Sequence, residues 1–182
     1  MKINPATHLL ENTCYLPSFN MDERPDDTNI DLIVVHCISL PPGEFGGGWI
    51  EKFFCNELPA DVHPYFAEIQ PLKVSAHVLI MRDGSVIQFV PFDKRAWHAG
   101  ESCFRGREQC NDFSIGIELE GTDTQEFEDA QYASLAELIR ALRYSYPELR
   151  TEQVVGHSDI APARKTDPGS GFDWARLNTL LV

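Results

Sequence analysis

Between Gly156 and Gly169 the chain sets a histidine, His157, two aspartates, Asp159 and Asp167, and a lysine, Lys165, among turn residues. Pro162, Pro168 and Gly169 exclude a regular helix through this stretch, so His157 and Asp167 are expected on a bent loop whose ends approach each other. Two side chains of these types, brought together, suit one metal ion. Zinc in a catalytic site takes three protein ligands from His, Asp, Glu or Cys and leaves its fourth position to water, so a third donor must come from elsewhere. His36 is the best candidate, because it ends the apolar run Leu32-Ile33-Val34-Val35 and is presented at the carboxyl end of a buried strand. Spacing alone is a weak signal and favours the plainer reading of His157 and Asp167 as polar side chains on a surface loop.

The elements that must position these residues can be read from periodicity. Asp31 to His36 is apolar on both faces and predicts a central strand; Cys37 should then point away from His36, to the opposite face. A Pro- and Gly-rich loop follows, and Trp49, Ile50, Phe53 and Phe54 fall at helical spacing, with Trp49 assigned to the core rather than to a ligand platform. Asn56 to Lys73, interrupted by Pro59, Pro64 and Pro71, predicts a long loop. From Ser75 to Val90 two β-rich runs joined through Asp83-Gly84 predict a hairpin, with His77 in its first strand as a structural or supporting residue. The loop Ala96-Trp97-His98-Ala99-Gly100 places Trp97 and His98 either on the wall of a binding cleft or in simple packing.

Phe113 to Gly121 alternates strictly, with Ile115, Ile117 and Leu119 on one face and Ser114, Gly116, Glu118 and Glu120 on the other. The second face is either a substrate groove, since small residues beside a carboxylate leave room above the sheet, or a solvent-exposed strand face. Tyr132, Leu135, Ala136, Ile139, Leu142 and Tyr146 predict an amphipathic helix from about Asp129 that stops before Pro147. A last short helix begins near Asp173. Strands and helices interleave around an antiparallel hairpin, which predicts an α/β fold: one domain over residues 1–182, with a mixed β-sheet flanked by helices. Residues 1 to about 30, rich in Pro, Asn and Asp, are expected as an irregular arm on the surface, without chemistry.

Bulk properties narrow the partners. The 182 residues carry a formal net charge of −13, with a pI near 4.7. Such a field opposes nucleic acid and anionic lipid, so neither is an expected partner. The first residues lack the apolar core of a signal peptide and no run approaches membrane-spanning length, which makes the cytoplasm the expected location. The same net charge favours a soluble, mutually repelling particle, and a monomer is the expected state. Five cysteines, with no Cys-x-x-Cys pair, argue against a disulfide framework and against a cysteine zinc cage.

Taken together, Val34-Val35-His36, Ser75-Ala76-His77, Ala96 to Gly100, Asn111 to Gly121 and Gly156 to Gly169 form, in this order, a pattern that resembles the 1,6-anhydro-N-acetylmuramyl-L-alanine amidases of cell-wall recycling. The wider relatives of that family are the phage amidase-type lysozymes and the peptidoglycan recognition proteins, which share a mixed sheet flanked by helices. The resemblance implies His36, His157 and Asp167 as ligands of Zn2+, Glu118 as general base and Lys165 as the group that stabilises the transition state. It also implies a small soluble muropeptide as substrate, with Trp97, His98, Lys73, Arg107 and Gln109 around the cleft. Cys37 stands where the pattern leads one to expect asparagine, and Lys73 and Gln109 where arginines are common. A muropeptide-binding module without catalysis and an amidase acting on intact cell wall are the competing readings; the complete ligand set speaks against the first.

Overall fold

The structure, a computed structural model, describes residues 1–149 and 151–182. In chain order the elements are β1 (Cys14–Tyr15), β2 (Met21–Asp22), β3 (Leu32–Ile38), α1 (Trp49–Phe54), α2 (Pro64–Ile69), β4 (Val78–Ile80), β5 (Val86–Gln88), β6 (Arg95–Ala96), β7 (Cys103–Phe104) and β8 (Arg107–Glu108). They continue with β9 (Ser114–Glu120), α3 (Asp129–Ser145), β10 (Val154–Gly156), α4 (His157–Ile160) and α5 (Trp174–Leu180). A six-stranded mixed sheet in the order β1-β5-β4-β9-β3-β10 carries the single domain, and only the β4–β5 hairpin pairs antiparallel within it. Among the described residues no helix is long and apolar enough to cross a membrane.

Side-chain alternation along β3 and β9 divides the sheet into two working faces. Ile33 and Val35 of β3, with Ile115, Ile117 and Leu119 of β9, are buried against Leu135, Ile139 and Leu142 of α3 and Leu177 of α5. Cys37 packs at the border of this cluster, on the face opposite His36, as period-two geometry requires. On the other face Leu32 and Val34 meet Ala99, Phe113 and Ile160, while Leu79 of β4 meets the aromatic side chains of α1 and α2. His36, Gly116 and Glu118 share this second face with the residues that cover it. β3 runs two residues beyond His36, so the histidine stands inside the strand rather than at its end.

Two further expectations require correction. Residues 56–73 are not one long loop, because α2 forms within them; the His63 ring accepts from the Tyr65 N–H at 3.1 Å, and Pro64 sits at the first helical position, where its missing N–H costs nothing. Residues 1 to about 30 are not simply a surface arm. β1 joins the edge of the main sheet, β2 pairs with β6, and Leu10, Ser18 and Asn20 are buried.

The tightest stitch in the arm is Arg24. Its buried guanidinium donates to four carbonyls, those of Asn111, Asp112, Phe92 and Ser114, at 2.8–3.2 Å. Burial brings its pKa down to about 10, still far enough above neutrality to keep the charge. Arg24→Ala would leave these carbonyls without their donor, so a loss on the order of 3 kcal/mol is expected, read as a lower urea midpoint at unchanged m-value. A change below about 0.5 kcal/mol would contradict the clamp.

His77 lies at the bend just before β4 and is fully buried. Its Nδ1 accepts from the Gly116 N–H and its Nε2 donates to the Lys94 carbonyl, both at 3.0 Å, which fixes a neutral ring; burial, and secondarily the neighbouring Arg24 charge, holds its pKa to about 3. This is a structural histidine.

Candidate active site

β3 and β9 are parallel neighbours, and their register sets His36 directly beside Glu118 on the same face. β10 pairs with the other side of β3, with Gly156 opposite Val35, so the residue that follows, His157, arrives next to His36. The stretch after it is less irregular than its prolines suggest, since α4 makes one helical turn from His157. The Asp159 carboxylate accepts from the Gly156 N–H at 2.7 Å, satisfying a donor at the start of that turn. Beyond Ala161 the chain folds back until the Asp167 carbonyl accepts from the Ser158 N–H at 2.9 Å, which brings Asp167 beside His157.

Three atoms converge there. His36 Nδ1 lies 3.0 Å from both His157 Nδ1 and Asp167 Oδ2, and the last two are 3.1 Å apart. On its far side, His157 Nε2 stands 3.0 Å from the Ala99 carbonyl, which can only accept, so Nε2 carries the proton and Nδ1 presents a lone pair to the cluster. A lone pair facing a carboxylate oxygen at 3.1 Å is repulsive unless a cation is shared between them. A proton is poorly suited to that place, because burial depresses the His36 pKa to about 4 despite its bond to Asp167. Burial alone would raise the Asp167 pKa, but the two imidazoles beside it, His157 and His36, outweigh this and hold it below the usual carboxylate range. Ligand atoms about 2.0–2.1 Å from a tetrahedral metal stand about 3.3 Å from one another, close to the spacing of this triangle. Two imidazoles and one carboxylate therefore fit a metal ion, and among the described residues this is the group of His, Cys, Asp or Glu side chains that can hold one.

The triangle forms part of the floor of a cavity of about 590 Å³. Glu118 lines it too, with Oε2 buried and unpartnered. Burial first, then the Asp167 charge, pushes the Glu118 pKa well above the usual carboxylate range, and Lys165 partly offsets the shift. The strand face that carries Glu118 is thus a groove and not a solvated surface. Lys165, whose N–H donates to the Ala161 carbonyl at 2.9 Å, lines the same cavity. Trp97 and His98 form part of its wall. The indole of Trp97 donates to Asp22 Oδ1 at 3.2 Å, so the amino-terminal arm positions a cavity residue.

Of the expected cleft residues, three lie elsewhere. Lys73 is exposed, donates to Asn56 Oδ1 at 3.0 Å, and is not part of the cavity lining. Arg107 is held outside by Asp31 and stacks on the Phe113 ring. Gln109 sits in a left-handed conformation with φ 58° and lines a separate depression beside α4. Each belongs to a loop, where side-chain direction follows from tertiary contacts that periodicity does not encode. Conversely, the sequence gives no sign of Arg24, Asp22 or Asn111 as residues that hold the site. Asn111 Oδ1 accepts from the N–H groups of both His98 and Ala99, at 3.1 and 2.8 Å.

Comparison with known proteins agrees with this geometry. The chain is similar to the 1,6-anhydro-N-acetylmuramyl-L-alanine amidase AmpD of Escherichia coli (strain K12), with 60% identity over 166 residues, 91% of this chain and 90% of that protein. A crystal structure of a selenomethionine AmpD derivative superposes with a TM-score of 0.96 at 55% identity over the whole of both chains. The complex of the E. coli amidase AmiD with the substrate anhydro-N-acetylmuramic acid-L-Ala-D-γ-Glu-L-Lys superposes with a TM-score of 0.62 at 30% identity, covering 87% of this chain and 60% of that one. Residues 26–170 match the family described as N-acetylmuramoyl-L-alanine amidase, and the chain belongs to that family of amide hydrolases.

Proposed function

We propose that this protein is a zinc-dependent amidase that hydrolyses the lactyl-amide bond between 1,6-anhydro-N-acetylmuramic acid and L-alanine in small soluble muropeptides, as a cytoplasmic monomer in peptidoglycan recycling. The observation that carries the reading is the triangle of His36, His157 and Asp167 atoms, 3.0–3.1 Å apart, with the unpartnered Glu118 carboxylate in register beside it. Zinc held by these three side chains would act as a Lewis acid toward the amide carbonyl and acidify water at neutral pH. Glu118, with one oxygen free of any hydrogen bond, takes the proton from the attacking water. Glu118 then delivers that proton to the departing alanine nitrogen, which cannot leave as an amide anion. Lys165 sets a positive charge in the cavity wall where the carbonyl oxygen becomes negative.

Trp97 and His98 bound the cleft, and the Asp22 bond to the indole keeps that wall in place before substrate arrives. A cavity of about 590 Å³ suits a fragment of a sugar and a few amino acids rather than a polymer network. The charge of −13 disfavours approach to an anionic sacculus in the same direction. Cleavage of soluble anhydro-muropeptide should therefore far exceed cleavage of intact sacculi, compared per available bond at equal zinc occupancy. Comparable rates on the two substrates would favour an amidase that cuts intact wall.

A further inference from the structure

His98 touches the cluster from outside. Its Nδ1 lies 2.9 Å from His36 Nε2 and its Nε2 lies 3.1 Å from Ser114 Oγ, so His36, His98 and Ser114 form a chain of three hydrogen-bonding groups leading away from the triangle. The rings of His36 and His98 meet edge to face, with centroids 5.0 Å apart. The chain is built rather than incidental. A Cβ on residue 116 would overlap the His98 ring, so only glycine at that position of β9 lets the ring lie against the strand. The backbone of the same segment is held by Asn111 Oδ1 through the N–H groups of His98 and Ala99. Ala99 in turn offers its carbonyl to His157 Nε2. One short segment, pinned by one side-chain oxygen, therefore faces the outer nitrogens of both imidazoles.

The two contacts differ in what they dictate. A carbonyl can only accept, so His157 has no choice of tautomer. A neutral imidazole can donate or accept at Nδ1, and a serine hydroxyl can do either, so the chain through His98 has two possible directions. In one, His36 Nε2–H donates to His98 Nδ1, His98 Nε2–H donates to Ser114 Oγ, and His36 Nδ1 is left as a lone pair facing the triangle. In the other, Ser114 donates to His98, His98 donates to His36 Nε2, and His36 Nδ1 carries a proton that blocks a metal.

We propose that His98 is the positioning residue for the metal centre: as an acceptor from His36, backed by Ser114, it holds His36 in the tautomer whose Nδ1 can bind the ion. The proposal rests on the zinc reading of the triangle. It assigns no chemistry to His98 itself, which acts only through His36. The outer partners of ligating histidines typically govern metal affinity by about 10- to 100-fold, and that is the size of effect expected here.

The test combines direct observation with a pair of isosteric substitutions. In the zinc-loaded protein with its native sequence, long-range proton–nitrogen NMR spectra should show the protons of His36 and His98 on Nε2. A proton on Nδ1 of His98 would overturn the proposal without any variant. Asparagine places its oxygen near the position of Nδ1, whereas glutamine reaches toward the position of Nε2. Zinc titration against a chromophoric competing chelator should therefore show His98→Gln weakened by about 10- to 100-fold and His98→Asn restored to within a few-fold of the parent. Equal affinity in His98→Gln and the parent would overturn it, as would equal losses in both variants. If the parent failed to bind zinc at His36, His157 and Asp167 at all, the metal reading would fall instead, so the two failures are distinguishable.

Discussion

Glu118→Gln is expected to lower turnover by on the order of 10²–10⁴ while leaving zinc content and substrate affinity near those of the parent. Glutamine keeps the size of the side chain and cannot accept a proton from water at neutral pH. The substitution should also stabilise the metal-free fold. The Glu118 pKa is raised on folding, so the folded state is penalised as pH rises through the interval between the unfolded value and the raised one, and the penalty is complete above it. Glutamine carries no such penalty. Metal-free Glu118→Gln should therefore melt at a higher temperature than the metal-free parent at neutral pH, and the difference should shrink on acidification. Unchanged turnover would mean that Glu118 only lines a strand face. Lost turnover with lost zinc would mean that it is a ligand.

Asp167→Ala should abolish stoichiometric zinc binding. It removes one of three converging donors, so the loss of affinity should exceed the about 10- to 100-fold typical of outer-shell substitutions. Elemental analysis after dialysis should find about one zinc per chain in the parent and almost none in the variant. Among the described residues no backbone N–H donates to the Asp167 carboxylate, and the return of the loop is fixed instead by the Asp167 carbonyl, which accepts from the Ser158 N–H. The fold should accordingly survive. Full zinc occupancy in a folded Asp167→Ala protein would remove the carboxylate from the ligand set.

What the sequence could disclose follows from which interactions have a period. The strict alternation from Phe113 to Gly121 placed Ile115, Ile117 and Leu119 on one face and Glu118 on the other, because a pleated strand permits no other arrangement. The apolar run before His36 read as a central strand for the same reason. The alternation could not give the parallel register that sets His36 beside Glu118, because β3 and β9 are far apart in sequence and their pairing depends on the whole sheet. It was the resemblance, carried by short motifs in a fixed order, that tied Glu118 and Lys165 to the histidines. β1 and β2 were missed because two residues carry no periodicity. α2 was missed because Pro64 reads as a breaker, although at the first turn it is compatible with a helix. Arg24 falls within the arm whose Pro, Asn and Asp content predicts irregular structure, yet it donates to four carbonyls that only the folded chain assembles. The resemblance implied Lys73, Arg107 and Gln109 around the cleft, and loop tethers carry all three away from it.

Product analysis shows which amide the chain cuts. Zinc-loaded protein incubated with anhydro-N-acetylmuramyl-tripeptide should yield two products by mass spectrometry: intact 1,6-anhydro-N-acetylmuramic acid and the free tripeptide with a new alanine amino terminus. In water enriched in oxygen-18, the label should enter the lactyl carboxylate, with none in the peptide. Unchanged substrate at full zinc occupancy would contradict the account, and so would cleavage at a peptide bond within the stem.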